Sequence, residues 1–158
     1  SGVADWDYIT EVVDAVETPV IANGDVVDAK TAKACLSQTH AAGLMVGRGA
    51  IGRPAVFGEI KVGLGWMERE ELPWIAAHDG NWDDLGYVAQ QFATRRWCWN
   101  RYIELARETT GLNLKSMRGH AVSFTKGLPS AKKIRNIMHG KQSREEFAQA
   151  TSEFLASN

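Results

Sequence analysis

Two short stretches of similar character decide the fold: "PVIANGD" at residues 19–25 and "GLMVGRGAIG" at residues 43–52. Each is typical of a short apolar strand that runs directly into glycine and a polar or charged residue. Pro19 opens the first strand, predicted over residues 20–22, and the second strand is predicted over residues 44–46. Because glycine lets backbone N–H groups approach an anion closely, both strand ends are candidate anion-binding positions.

Helices are predicted on either side of these strands. One covers residues 5–17 behind an aspartate, a second covers 27–38 with Asp25 or Asp28 as its N-cap, and a third has Pro54 in its first turn and continues to about residue 64. Strands that alternate with helices indicate a parallel α/β sheet with sites at the carboxyl ends of the strands. Two strands are too few for such a sheet, which needs neighbouring strands and helices on both faces. We therefore expect the chain to be a fragment of a larger sheet or barrel.

The second half has a different pattern. A connector rich in acidic residues and tryptophan covers residues 66–82, and from residue 83 the apolar spacing is helical throughout. A long helix carries Leu85 and Val88 on its inner side and stops before Gly111. Further helices are predicted over 114–125, over 131–138 and behind the capping box Ser143 and Glu146. The expected organisation is α/β over residues 1–65, a connector over 66–82 and a small all-α bundle over 83–158.

The amino-acid composition indicates the broad class of protein. Hydrophobic residues make up 44% and charged residues 23% of the 158 residues, as in a soluble globular protein. The sequence contains neither an apolar stretch long enough to span a membrane nor a signal-peptide pattern at its start, so we expect a cytoplasmic protein. Cys35 and Cys98 lack a CxxC or His-rich neighbourhood, and we expect free thiols, with no disulfide framework and no metal site.

The charge is distributed unevenly along the chain. Residues 1–90 carry 6 Lys and Arg against 14 Asp and Glu, whereas residues 91–144 carry 12 against 2. A basic block of this density fits a polyanionic partner, because each neutralised phosphate releases counterions. A solvated helix face balanced by the acidic half explains the same charges, and charge alone does not decide between the two.

The two strand ends form the candidate chemical site. Asn23, Gly24 and Asp25 follow the first strand, and Gly47 and Arg48 follow the second. If the strands are adjacent, the backbone amides of both loops and the Arg48 guanidinium would face the same anion. This is the arrangement of a phosphate pocket at the last two strands of a TIM (β/α)₈ barrel. The alternative is that the glycines only make tight turns.

Four blocks of the sequence match a known family. "SGVADWDYI", "PVIANGD", "AAGLMVGRGAIGRPAVFGEI" and "MRGHAVSFTKGLPSAKKIR" resemble, in this order, the C-terminal half of tRNA-dihydrouridine synthases. The resemblance implies an FMN-binding TIM barrel followed by a helical tRNA-binding domain. It also implies a cytoplasmic flavoprotein oxidoreductase of tRNA processing, in which NADPH reduces FMN and the flavin reduces uridine to 5,6-dihydrouridine while a cysteine donates a proton.

The same resemblance assigns individual residues. The family's catalytic cysteine belongs to an Asn-x-Gly-Cys-Pro motif that does not occur in this chain. No catalytic residue is therefore expected here, and the chain alone is expected to be inactive. Gly119 stands where the family often has lysine. Arg118, His120 and Lys126 match family positions proposed to contact RNA, and the expected FMN contacts are Asn23, Gly24, Asp25, Gly47 and Arg48.

The segment "QQFATRRWCWNRYIELAR" admits two interpretations. Basic residues interleaved with aromatics can hold phosphate and stack on bases. Alternatively, Trp99 belongs to the core while Trp97 and Tyr102 fill gaps between helices, which we favour for the aromatics. For the basic residues we favour RNA backbone contact, and the expected contacts are Arg95, Arg96, Lys132, Lys133 and Arg135.

Two other function classes fit parts of these observations. Another FMN-dependent TIM-barrel oxidoreductase would share the phosphate strands but would not require a basic helical domain. An RNA-binding helical module with a barrel remnant would bind RNA in a salt-sensitive manner without any flavin.

Overall fold

The computed structural model describes residues 2–140 and 143–157, apart from the side chains of residues 135 and 137–140. The chain divides into two compact units, Ser1–Glu71 and Leu72–Asn158, which we call unit 1 and unit 2. The boundary falls inside the predicted connector.

Unit 1 alternates helices and strands, as its sequence pattern predicts. Helix α1 begins behind Asp5, whose carboxylate accepts a hydrogen bond from the Tyr8 N–H. Helix α2 begins behind Asp28, which exchanges hydrogen bonds with Thr31 in a capping box. Asp28, and not Asp25, is thus the N-cap of α2. In chain order the elements are α1 (Trp6–Ala15), β1 (Ile21–Asn23), α2 (Ala29–Thr39), β2 (Gly43–Met45) and α3 (Val56–Gly63).

The two strands pair in parallel and in register. Ile21 lies opposite Gly43, and Asn23 lies opposite Met45. Both strands therefore end at the same edge, where the polar residues follow. Ala22 is buried between strands and helices, whereas Ile21 is 58% and Met45 48% exposed. The core of unit 1 comprises Ala22, Val26, Ala32, Cys35, Ala41, Val56 and Ile60.

The described elements of secondary structure in unit 2 are all helices or helical turns. A short helix and a 3-10 turn over Trp82–Asp84 occupy the segment predicted as a connector. They bury Trp74 and Trp82, so this segment is packed. The helices are α4 (Pro73–Ala76), α5 (Tyr87–Glu108), α6 (Leu114–Thr125), α7 (Ala131–Gly140) and α8 (Arg144–Ala156).

Trp99 of α5 lies at the centre of the unit 2 core. Its side chain is fully buried, its indole N–H donates to the Ala148 carbonyl of α8 at 3.1 Å, and its ring contacts Phe124 and Phe147 edge-on. Burying an aromatic of this size stabilises the fold by about 2–3 kcal/mol. Trp99 therefore ties α5 to α6 and α8 and belongs to the core, as we favoured from its sequence position.

The start of the long helix differs from the prediction. Residues 82–84 form a separate 3-10 turn, and α5 begins only at Tyr87 behind Gly86. Val88 is 46% exposed, so its assignment to the inner face is wrong. Because α5 begins after this turn, the direction of its inner face is set from Tyr87 onward. The helical spacing counted from Leu85 therefore does not predict which residues of α5 are buried.

Candidate functional site

The ends of β1 and β2 form one cleft in unit 1. It has a volume of about 470 Å³ and is lined by the polar residues that follow both strands. The parallel register brings the two strand ends to the same edge. We call it the strand-end cleft; its lining residues are Asn23, Gly24, Asp25, Val26, Val27, Met45, Gly47, Arg48 and Gly49.

Two glycines let the backbone approach closely on each side of this cleft. Gly24 has a φ of +132°, and a Cβ added there would overlap the Cβ of Ala4. A Cβ at Gly49 would lie 3.0 Å from the Val26 carbonyl oxygen, since the loop after β2 passes directly against the loop after β1. Any side chain at Gly24 would strain the backbone and push the N-terminal segment away.

Asp25 links the first loop to its surroundings. It adopts a left-handed conformation with a φ of 53°, uncommon for a residue other than glycine. One carboxylate oxygen accepts the Ala4 N–H at 2.7 Å, and the other lies 3.7 Å from a guanidinium nitrogen of Arg48. The Trp6 indole N–H donates to the Gly24 carbonyl at 3.1 Å. These contacts fix the loop after β1 against the N-terminal segment.

Arg48 presents an exposed cation at the rim of the cleft. Its side chain is 78% exposed and that of Asp25 is 39% exposed, so their pairing is worth at most about 1 kcal/mol. Arg48 also opens a 3-10 turn, Arg48–Ala50, whose first bond joins the Ala50 N–H to the Gly47 carbonyl. The amides of Arg48 and Gly49 precede that bond and have no carbonyl partner within the turn.

The cysteines lie away from this chemistry. Cys35 is fully buried on α2, and burial raises the pKa of its thiol. Cys98 is buried on α5. Neither lines the strand-end cleft, and a buried thiol of raised pKa is a poor nucleophile and proton donor to solutes. Within residues 2–140 and 143–157, no cluster of histidine, cysteine and acidic side chains could hold a metal ion.

The basic residues predicted from the sequence have different surroundings in unit 2. Arg95 is half-buried, and its guanidinium donates to the Phe124 carbonyl at 2.6 Å and to the Lys126 carbonyl at 3.3 Å. It caps the C-terminal end of α6, where a cation also favours the helix dipole. The guanidinium of Arg95 is therefore used for a contact within unit 2. Exposed cations are Arg96 on α5, Arg118 on α6, Lys126 after α6, and Lys132 and Lys133 on α7.

Arg118 and His120 do not share a face of α6. Residues two apart on a helix project to nearly opposite sides. His120 contacts the Tyr102 ring edge-on, with 4.9 Å between ring centroids, on the side of α6 that packs on α5. Arg118 is exposed on another side. Arg135 belongs to α7, but its side chain lies outside the described part of the chain.

The interleaved aromatics pack within the fold. Trp97 contacts Trp74 edge-on at 6.0 Å between centroids, and Tyr102 packs against Trp99 and Phe124. Burial raises the pKa of the Tyr102 hydroxyl. These rings therefore fill gaps between helices, as we favoured.

One surface feature, on α6, was not predicted from the sequence. Lys115, Arg118, Gly119 and Val122 follow the spacing i, i+3, i+4 and i+7, which places them along one side of α6. All four residues are exposed, and Val122 is 45% exposed. We call these four residues the α6 stripe. Helical spacing alone would have indicated it.

Comparison with known proteins gives a consistent result. The family model described as "Dihydrouridine synthase (Dus)" matches residues 1–158. A probable tRNA-dihydrouridine synthase of Rickettsia conorii is 32% identical over 139 residues, which cover 88% of this chain and 38% of that protein. A probable tRNA-dihydrouridine synthase of Rhodobacter capsulatus is 47% identical over 73 residues, 46% of this chain and 22% of that protein.

A third relative matches a shorter part of the chain. The tRNA-dihydrouridine synthase B of Pectobacterium carotovorum is 49% identical over 61 residues, 39% of this chain and 19% of that protein. The chain thus spans less than two fifths of the length of each of these relatives. No described helix is both long and apolar enough to cross a membrane.

Proposed function

The chain belongs to the dihydrouridine synthase family, and we propose that it contributes two parts of a flavin-dependent oxidoreductase that reduces uridine in tRNA to 5,6-dihydrouridine. The first part is the strand-end cleft, which would bind the phosphate of FMN. The second is the basic surface of unit 2, which would bind tRNA. Because the chain spans 38% of its Rickettsia relative, the complete activity is proposed for the whole protein.

The convergence of two strand ends on one cleft carries this proposal. Asn23 lies opposite Met45 in the parallel register, and the loops that follow touch at Gly49. We propose that the two βα units are the last two of a (β/α)₈ barrel, in which phosphate sites form at the corresponding loops. The exposed Ile21 and Met45 support this proposal, because parallel strands normally have both faces covered.

The residues of the cleft fit a phosphate group. Gly24 and Gly49 let the two loops pack closely against Ala4 and against Val26. The amides of Arg48 and Gly49 begin a helical turn, where an anion could accept their hydrogen bonds. Asp25 introduces a negative charge, but one of its oxygens is occupied by the Ala4 N–H. Its pairing with the exposed Arg48 is weak enough for a phosphate dianion to replace it.

The chain's own residues would therefore bind and orient the cofactor. FMN, when bound, would supply hydride transfer to the uracil ring, with NADPH as its reductant. Arg48 and the loop amides would hold the phosphate end, and Asn23, Gly24 and Gly47 would line the cleft around it. We assign no catalytic side chain, since both cysteines are buried and neither lines the cleft.

The exposed cations of unit 2 support the tRNA part of the proposal. Residues 109–143 contain seven Lys and Arg and no Asp or Glu, so this part of the sequence carries a net positive charge. We propose Arg96, Arg118, Lys126, Lys132 and Lys133 as backbone contacts that follow the A-form shape of RNA. Arg95 and His120 contact other parts of unit 2, so we expect them to stabilise its fold and not to contact RNA directly.

Expression of the whole protein that contains this chain, in a bacterial strain whose tRNA lacks dihydrouridine, tests the function. Dihydrouridine, quantified by mass spectrometry of digested tRNA, should appear. Arg48→Ala should lower its amount, whereas Lys33→Ala, an exposed cation on α2 outside the cleft, should not. Soluble protein without any dihydrouridine would refute the proposed function.

A further inference from the structure

Asp25 is the residue of the strand-end cleft whose charge fits a phosphate least. An ionised carboxylate has hydrogen-bond acceptors only, and a phosphate dianion presents acceptors as well, so the two groups repel each other. Asp25 nevertheless lines the cleft beside Arg48, the residue proposed to hold the phosphate. Its place there points to a role other than that of a direct phosphate ligand.

The backbone of the loop after β1 aims this carboxylate at its neighbours. Gly24 and Asp25 have positive φ in succession, 132° and 53°. The left-handed conformation is strained for residues other than glycine, although Asn and Asp tolerate it better than most. A glycine at position 25 would avoid this strain, but it would leave the Ala4 N–H and the Arg48 guanidinium without the carboxylate that they share. The side chain of Asp25 is therefore the reason for the strained backbone.

The two oxygens of Asp25 have different partners. One accepts the Ala4 N–H at 2.7 Å, which joins residues 21 apart in sequence, and the other lies 3.7 Å from a guanidinium nitrogen of Arg48. An ionised acceptor makes a stronger hydrogen bond than a neutral one, so a cation beside the carboxylate weakens its bond to the amide. The contacts with Ala4 and with Arg48 thus compete for one negative charge.

We propose that Asp25 is a positioning residue, which couples phosphate binding at Arg48 to the position of residues 2–5. In the free cleft, Asp25 divides its charge between Arg48 and the Ala4 N–H. A phosphate that binds Arg48 draws the guanidinium away from Asp25, and the hydrogen bond from Ala4 becomes stronger. Because such coupling is reciprocal, residues 2–5 held against Asp25 also favour phosphate binding.

The segment that Asp25 holds lies where the chemistry is proposed to occur. Ala4 and Trp6 both contact the loop after β1, so residues 2–5 lie at the edge at which β1 ends. In the proposed barrel, this edge belongs to the face on which active sites form. Phosphate binding would therefore fix a second loop of that face through Asp25. This inference rests on the proposed function, because it assigns a coupling role within the proposed phosphate site.

Asp25→Asn separates the charge of this side chain from its hydrogen bond. Asparagine tolerates the left-handed conformation and keeps an oxygen that can accept the Ala4 N–H, so the fold should be retained. Calorimetric titration of the whole protein that contains this chain, freed of flavin, should show tighter binding of FMN and of inorganic phosphate. The expected gain is about three- to fivefold, the range of a weak exposed ion pair. The matched control is Asp14→Asn, an exposed acid near the other end of α1, which should leave both affinities unchanged.

Hydrogen exchange of the Ala4 amide measures the coupling itself. In the unsubstituted protein, saturating inorganic phosphate should slow this exchange by about three- to fivefold, because the bond to Asp25 becomes stronger. In Asp25→Asn the competing charge is absent, so phosphate should leave the exchange of Ala4 unchanged. A residue that only held the loop in place would give the same exchange with and without phosphate in both proteins.

The outcomes distinguish this inference from the proposed function. Weaker binding of FMN by Asp25→Asn would show that Asp25 is a direct ligand and would overturn the inference alone. Binding of FMN and phosphate that depends on Arg48 but does not alter Ala4 exchange would also overturn it alone. Failure of the unsubstituted protein to bind either FMN or inorganic phosphate would overturn the phosphate part of the proposed function as well.

Discussion

Gly24 is the residue on which the geometry of the strand-end cleft depends most. Substitution by alanine introduces two costs. A side chain at a φ of +132° strains the backbone by about 1–3 kcal/mol, and the added methyl overlaps the Ala4 Cβ, which adds about 1–3 kcal/mol. The reduced entropy of the unfolded chain offsets about 0.4–1 kcal/mol. From the middle of each range, we expect Gly24→Ala to destabilise unit 1 by about 3 kcal/mol.

Two other glycines of unit 1 separate these contributions. Gly65 has a φ of +71° with no described atom within 4 Å of an added Cβ, so Gly65→Ala should cost only the backbone strain, about 1 kcal/mol or less after the entropic offset. Gly63 does not have a positive φ, but a Cβ there would overlap Ala29. Gly63→Ala therefore reports the overlap alone.

Hydrogen exchange followed by mass spectrometry measures these differences within unit 1. At about 1.4 kcal/mol per tenfold change, protected amides of β1 and α2 should exchange at least about thirtyfold faster in Gly24→Ala and about threefold faster in Gly65→Ala. Equal exchange in the two variants would show that Gly24 does not contact Ala4. The reasoning on the cleft would then fail, because the loop after β1 would not be fixed as described.

Three further substitutions or modifications test the structure at other points. Arg95→Ala removes the cap of α6 and should destabilise unit 2 by about 1.5 kcal/mol in urea denaturation, whereas Arg96→Ala, at an exposed site, should change it by less than about 0.5 kcal/mol. Hydrogen bonds from Thr31 hold the pKa of Asp28 below its usual value of 3.8, so its stabilisation is present above that pH and is lost as the pH falls through the lower folded-state pKa. Asp28→Ala should therefore cost about 1 kcal/mol at pH 7 and less in acid, measured by denaturation across pH. Cys35 and Cys98 should react with a thiol reagent only after unfolding, and rapid reaction of the native chain would contradict their burial.

The sequence predicted the helices of both units well where local signals were complete. Helix α6 matches its predicted bounds, because Asn113 caps its start and the apolar spacing is regular. Each strand lies within one residue of its prediction. The start of α5 was misplaced because a 3-10 turn resets the helical phase after Leu85. Gly86, the N-cap of α5, is the local signal that the prediction did not use.

The sequence predicted which residues form the candidate sites, but it did not predict the hydrogen bonds that these residues make. The glycines and Arg48 follow from the strand ends, but the bond from the Ala4 N–H to Asp25 joins residues 21 apart in sequence. Arg95 caps a helix end 29 residues away, so its role depends on how α5 packs on α6. Such roles require the tertiary structure, whereas the α6 stripe could be read from the sequence spacing alone.

Binding of FMN to the purified chain tests the central proposal most directly. Titration followed by flavin fluorescence, with riboflavin as the phosphate-free control, should show binding of FMN that riboflavin does not reproduce. Arg48→Ala should weaken that binding at least about tenfold, since charge-assisted hydrogen bonds to a phosphate are worth about 1.5–3 kcal/mol, while Lys33→Ala should leave it unchanged. Equal binding of FMN and riboflavin, or binding of FMN that does not depend on Arg48, would contradict a phosphate site in the strand-end cleft.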